Sequence, residues 1–187
     1  AEMPAEAQLT DSIPSDLKQF VQNKVEGNPF YLEEVINSLI ESETLIRDNG
    51  TWRLARGIGE VDISSTIHGV ISARLDRLET ETKKILQEAS GIGRVFLHDI
   101  LKRITDIKDQ SEKCLSSLER LDLIRTRSLQ PYLEYIFKHA LIQEVAYNSL
   151  LQARRKEIHE NIGNAIENLY ASRLEEFYEM LAYHYTK

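Results

Sequence analysis

Cysteine and long apolar runs are the scarcest features of this sequence. Cys114 is the only cysteine among 187 residues, so no disulfide can form within the chain. No run of about 18 apolar residues is present, so a membrane-spanning helix is not expected. The start of the chain has neither the basic end nor the apolar core of a signal peptide. These absences predict a cytoplasmic location and no membrane partner.

Sequence motifs for catalysis are missing as well. No Gly-x-x-x-x-Gly-Lys-Ser/Thr phosphate loop occurs. His159-Glu160 begins like the helix of a zinc protease, but Gly163 stands where the second histidine is required. The five histidines are scattered, without the spacing of metal ligands. We therefore expect no metal site, no bound cofactor and no enzymatic activity in this chain alone.

The charge of the chain bears on its partners. Its formal net charge is -7, which argues against nucleic acid or an anionic membrane as the main partner. The apolar fraction of 42% is ordinary for a soluble globular protein. The first residue is Ala1, and the chain is interpreted as a piece of a longer protein.

Residues 1–63 are predicted to form helices and a hairpin. A helix is expected from Pro14 to Val25, and Gly27 suits a left-handed C-terminal cap. Pro29 can open the next helix without losing a hydrogen bond. That helix carries an apolar stripe of Leu32, Val35, Ile36, Leu39 and Ile40. Asn49-Gly50 between two extended runs predicts a tight hairpin turn.

Residues 64–138 show the element order of a winged-helix domain. Ser64-Ser65-Thr66 is predicted to cap a linking helix, and three shorter helical patterns follow. Two extended runs, 123–126 and 133–138, then predict a two-stranded wing in which Phe137 is buried. The three helical patterns are marked by Ile85, Leu86 and Ala89, then Leu97, Ile100, Leu101 and Ile104, then Cys114, Leu115, Leu118 and Leu121.

Residues 139–187 are predicted to be helical to the end. One stripe contains Ile158, Ile162, Ala165, Ile166 and Leu169, and the next contains Leu174, Phe177, Tyr178, Leu181 and Tyr185. A pair of antiparallel helices of this length is also the unit of a helical solenoid. The whole chain is therefore predicted to be mainly α, with a small β-hairpin wing and the start of an array like tetratricopeptide (TPR) repeats.

His139 lies where a predicted strand gives way to a helix. The first N–H groups of a helix have no partner inside it, so this position suits an anion or a phosphate. The alternative interpretation is that His139 only caps or packs at the turn. The sequence around His139 is compatible with both roles.

Four sequence motifs follow one another along the chain. The first is Glu26-Gly27-Asn28-Pro29-Phe30-Tyr31-Leu32-Glu33-Glu34-Val35. The others run from Ala73 to Leu78, from Leu86 to Phe96, and from Phe137 through Tyr147 to Leu151. In this order they resemble the signalling ATPases of the STAND class, in particular those attached to class III adenylate cyclases and bacterial transcription regulators. The resemblance covers nearly the whole chain.

The resemblance implies that this chain is a regulatory part without its P-loop ATPase core. Residues 1–63 would be a helical lid, 64–138 the linking helix and winged-helix domain, and 139–187 the start of the repeat array. Gly27 and Asn28 would set a turn from which Pro29 packs on the adenine, and His139 would reach the phosphates of ADP. The longer protein would bind ATP or ADP with magnesium. Ala140 stands where related proteins often have Asp, so no role of that Asp is carried over.

Two other functions remain open. One is a DNA-binding winged helix of a transcription regulator, and the other is a plain helical scaffold for a protein partner. DNA binding is disfavoured because the third helix, Asp109 to Leu121, offers only two basic residues against three acidic ones. We expect partners to be the ATPase domain in the same chain and the downstream repeats.

Overall fold

The computed structural model describes residues 28–48, 51–55, 64 and 66–187. Within these ranges the protein is mainly helical with two small antiparallel sheets, which confirms the predicted class. The chain divides into two compact units, with the division after Arg74. The helix predicted from Pro14 to Val25, the cap at Gly27 and the turn at Asn49-Gly50 lie outside the described residues.

The first unit combines helix α1, Pro29–Glu41, with a β-hairpin. Strands β1, Leu45–Asp48, and β2, Thr51–Leu54, pair antiparallel, with Asp48 opposite Thr51. This register confirms the predicted hairpin. Helix α2, Ile67–Asp76, follows, and its residues up to Arg74 belong to this unit. The core contains Tyr31, Val35, Ile36, Leu39, Leu45 and Val70, with Trp52 packed against it.

The second unit begins with three helices and a sheet. The helices are α3, Thr80–Ile92, α4, His98–Ile104, and α5, Ser111–Arg120. Strands β4, Ile124–Ser128, and β5, Glu134–Phe137, form the two predicted extended runs, with slightly shifted ends. Phe137 is fully buried, as predicted, and its ring centroid lies 5.6 Å from that of Phe96.

A third strand was not predicted. Strand β3, Val95–Leu97, pairs with β5, so the sheet has the order β3-β5-β4. Leu97 was predicted to belong to a helix, whereas α4 begins one residue later at His98. Three residues are too short to show a period of their own, and pairing with β5 is what fixes them as a strand.

The end of the chain is less continuous than predicted. Helix α6, Ala140–Asn148, is followed by α7, Gln152–Leu169, then a 3-10 helix, Ala171–Phe177, and helix α8, Tyr178–Tyr185. The backbone of Arg173 is not helical, and Leu174 and Phe177 lie in the 3-10 helix, so the second predicted stripe does not lie on one continuous α-helix. Phe177 and Leu181 are buried, but Leu169, Tyr178 and Tyr185 are exposed, contrary to the prediction.

Among the helices that the structure describes, none is both long and apolar enough to cross a membrane.

Candidate functional site

Asn28 and Pro29 form the start of α1. The side-chain oxygen of Asn28 accepts hydrogen bonds from the N–H groups of Phe30, at 3.1 Å, and Tyr31, at 3.3 Å. Pro29 is the first helical residue, as the sequence predicted, and Asn28 is the N-cap, a role that was not predicted from the sequence. Both residues are exposed, so the ring of Pro29 is accessible to a planar partner.

Tyr31 holds the start of α1 in position. Its hydroxyl donates to the backbone oxygen of Ser64 at 2.7 Å, and its side chain is buried. Burial raises the pKa of the Tyr31 hydroxyl, so this group remains a donor at neutral pH. The Asn28-Pro29 turn is thus attached to the segment that precedes α2.

A buried ion cluster joins α1 to α2 within the first unit. The guanidinium of Arg74 contacts a carboxylate oxygen of Glu34, and its Nε lies 3.1 Å from both carboxylate oxygens of Glu41. The exposed fractions of the Arg74 and Glu34 side chains are 1% and 0%. Sequence analysis did not assign these residues a role. One signal in the sequence could have indicated that Arg74 is buried. Arg74 continues the helical spacing of Ile67, Val70 and Ile71, where an apolar residue is expected.

His139 occupies the junction that its sequence position predicted. It follows β5 by two residues and is the N-cap of α6, with φ -126° and ψ 143°. Its backbone oxygen accepts from Ile142 N–H at 3.1 Å, but its side chain does not cap the helix. The half-buried imidazole therefore lies at the amino end of a nine-residue helix, where the helix dipole favours an anion.

The residue before His139 is held by a separate ion pair. The ammonium of Lys138 contacts a carboxylate oxygen of Asp122, and Lys138 N–H donates to Leu123 O at 3.1 Å. Burial by itself would raise the pKa of Asp122, but hydrogen bonds from Lys138 and Arg125 outweigh it, and the pKa is lowered. Asp122 therefore remains ionised at neutral pH and anchors the chain just ahead of His139.

The motif that contains His139 contacts the motif that runs from Leu86 to Phe96. The side-chain amide of Gln143 in α6 donates to Ser90 O of α3 at 2.8 Å, and the amide of Gln87 donates to the hydroxyl of Ser149 at 2.8 Å. Polar residues of these motifs thus position α6 on α3. This is a structural role that the resemblance did not reveal.

Gly91 of the same motif is required by close packing. A Cβ atom at this position would lie 2.6 Å from Cγ2 of Ile158 in α7, well inside van der Waals contact. The glycine therefore lets α7 approach α3 closely. The short spacing Gly91-Ile92-Gly93 serves packing and a turn, since the backbone of Gly93 has φ 147°.

The predicted site residues are distributed over the two units. Asn28 and Pro29 belong to the first unit, His139 belongs to the second, and Gly27 lies outside the described residues. Across the described ranges, no three His, Cys, Asp or Glu side chains are grouped so that they could hold a metal ion. The features available for binding a ligand are the start of a helix, the exposed ring of Pro29 and the imidazole of His139.

Fold and site together define a mainly helical protein with two small antiparallel sheets and a histidine at a strand-to-helix junction. No protein-family model matches the chain, and no curated protein is significantly similar to it.

Proposed function

We propose that this chain is a non-catalytic regulatory module of a signalling ATPase that switches between ATP and ADP. The observation that supports this most is the position of His139 at the amino end of α6. An imidazole N–H there can donate to a phosphate oxygen, and the helix dipole favours the same negative charge. The P-loop core and its magnesium would belong to the longer protein, as would any fused adenylate cyclase.

The first unit would supply the contact to the adenine of the nucleotide. Asn28 caps α1 and leaves Pro29 exposed at the first helical position. A proline ring in this rigid position presents an apolar surface that fits the face of an adenine. The hydrogen bond from Tyr31 to Ser64 and the ion cluster around Arg74 keep this turn in place.

The second unit would transmit the nucleotide state as a winged-helix domain followed by TPR-like helices. The chain order of α3, β3, α4, α5, β4 and β5 supports the winged-helix assignment. The contacts of α6 with α3, through Gln143 and Ser90, offer a path from His139 to the body of the unit. A phosphate that shifts His139 would thereby also shift α6.

The charges of α5 argue against DNA binding by the same domain. Glu112 of α5 lies 2.7 Å from His98, and Glu119 accepts from both the N–H and the hydroxyl of Thr126. Acidic side chains therefore occupy the helix that would enter the major groove, where phosphates repel them. We expect no specific binding to duplex DNA at physiological salt, as an electrophoretic shift assay would show.

The proposal is tested by the dissociation of ADP from the longer protein. His139→Ala would remove a hydrogen bond to a charged phosphate, worth about 1.5–3 kcal/mol. We expect ADP to leave roughly ten to a hundred times faster, measured by displacement of a fluorescent ADP analogue. Ala140→Ser is the matched control, because residue 140 is exposed and its alanine donates nothing.

Equal dissociation rates for the wild type and His139→Ala would contradict the nucleotide role and leave His139 as a residue of the turn. The isolated chain should hydrolyse no ATP above background, because it has no phosphate loop. ATP turnover that is lost on mutation of a residue in this chain would overturn the non-catalytic assignment.

A further inference from the structure

Two buried histidines face each other between α7 and α8. Nδ1 of His159 lies 2.7 Å from Nδ1 of His184, and both residues are 2% exposed. Nε2 of His159 lies 2.9 Å from the hydroxyl of Tyr147 in α6. Nε2 of His184 is buried and makes no hydrogen bond with any described residue. The result is a chain of three polar side chains that links α6, α7 and α8.

The short Nδ1–Nδ1 contact limits how many protons the pair can carry. Only one hydrogen can lie between the two nitrogens, so one imidazole donates and the other accepts. Two neutral tautomer arrangements satisfy this contact, and the Tyr147 hydroxyl can serve either one as donor or acceptor. If both rings were protonated, two N–H groups would point at each other, and two positive charges would be adjacent in a buried space.

The groups around the pair add positive rather than negative charge. Tyr183 of α8 makes an edge contact with the His159 ring, and Nζ of Lys187 lies 5.0 Å from the Tyr183 ring centroid. On the other side, the guanidinium of Arg155 lies 4.6 Å from the ring centroid of Tyr147. Among the described residues, no carboxylate forms an ion pair with either histidine. A proton taken up here would therefore have no counter-ion.

We propose that His159 and His184 form an acid-sensitive latch, which holds α8 on α7 while both rings are neutral and releases α8 when the pair takes up protons. Helix α8 is the element that would move, because it has only eight residues and its buried side chains are Leu181 and His184. The cluster lies apart from His139 and Pro29 in sequence, and the inference does not depend on the nucleotide function.

The direction of the pH effect follows from burial. Burial and, to a smaller extent, the neighbouring His159 together lower the pKa of His184 to about 4. Burial also lowers the pKa of His159, with Lys187 acting in the same direction. An exposed histidine titrates near 6.5. The released helix therefore binds more protons, so the docked state is favoured most above about pH 6.5 and loses stability as the pH falls toward 4.

Hydrogen–deuterium exchange of the whole chain, corrected for intrinsic rates, tests this latch. The pKa of His184 alone predicts that opening of α8 increases about 20-fold between pH 7 and pH 5. Amides of α3 serve as the internal reference and should change much less. His184→Phe keeps an aromatic ring but removes one of the two titrating groups, so its α8 exchange should rise much less than that of the wild type. His68→Gln, at an exposed histidine, should respond like the wild type.

Two results would overturn the proposal. One is α8 exchange in the wild type that is the same at pH 7 and pH 5, and the other is an equal rise in His184→Phe. Should His184→Phe not fold, the imidazole carbon resonances of the wild type decide instead. Neutral His159 and His184 rings at pH 6 would support the latch, and titration of both at or above pH 6.5 would refute it.

Discussion

Glu34 and Arg74 are 40 positions apart in the chain and form a buried ion pair in the first unit. Each belongs to one of the motifs that carry the resemblance to signalling ATPases, the first to the segment around Asn28-Pro29 and the second to the segment Ala73 to Leu78. The pair therefore fixes the helix that begins at Pro29 against α2. Each charged group of the pair compensates the other, which would otherwise be buried without a counter-ion.

Arg74→Met should destabilise the first unit strongly. The substitution leaves the Glu34 carboxylate buried without its cation, which costs about 3–5 kcal/mol in comparable cases. Urea unfolding followed by the fluorescence of Trp52 measures this, because Trp52 is the single tryptophan and packs on the core of this unit. Arg53→Met is the control, since the Arg53–Asp48 pair is more than half exposed and should contribute less than about 1 kcal/mol. Equal losses for the two variants would disprove the role of the buried pair.

Asn28→Ala should weaken the start of α1. The variant loses the acceptor for the N–H groups of Phe30 and Tyr31, so the free energy of unfolding should fall by about 0.5–2 kcal/mol. Asn28→Asp keeps an acceptor oxygen and should remain close to the wild type. The same fluorescence experiment distinguishes them, and an alanine variant as stable as the aspartate variant would show that the cap is unimportant.

Gly91→Ala should destabilise the second unit through a clash with Ile158. The added methyl group would overlap Cγ2 of Ile158, and overpacking of this kind costs about 1–3 kcal/mol. Ile158→Ala removes that atom, so the cost of Gly91→Ala should shrink in its background. A double-mutant cycle, with unfolding followed by circular dichroism, measures this coupling. Strictly additive losses would mean that the two residues do not collide.

Glu88→Gln should change how stability depends on pH. Glu88 is buried and lies 3.0 Å from Nη2 of Arg154. Burial raises its pKa, and a hydrogen bond with Thr105 and the nearby cations Lys84 and Arg154 only partly oppose this effect. The folded state therefore binds the Glu88 proton more tightly than the unfolded state does, and wild-type stability declines as the pH rises through this pKa.

Glutamine does not titrate, so the stability of Glu88→Gln relative to the wild type should rise from pH 4 to pH 7. Comparison of the two proteins at each pH cancels the titration of all other groups. Glu157→Gln is the control, because Glu157 also pairs with Arg154 but is 56% exposed. A stability difference that is constant with pH for Glu88→Gln would show that burial does not perturb this carboxyl group.

Periodic apolar patterns predicted most of the helices, because helices and hairpin turns depend on residues close in the chain. The stripe from Leu32 to Leu39 predicted α1, Pro29 predicted its first residue, and Asn49-Gly50 predicted the pairing of the strands on either side of it. The alternation around Phe137 placed His139 between a strand and a helix. Such local signals do not require knowledge of any distant contact.

Long-range contacts decided the rest. Strand β3 exists because β5 pairs with it, and the apolar pattern did not predict that Ala171–Phe177 forms a 3-10 helix instead of continuing an α-helix. The partners of Arg74 and His184 could not be predicted from the sequence either. A charged or titratable side chain on an apolar stripe is expected to be buried, but the stripe does not identify the residue that it contacts. The sequence by itself therefore determined where most of the helices and the strands of the hairpins lie. Only the tertiary structure decided which polar groups are buried together, because burial and pairing depend on residues brought close by the fold.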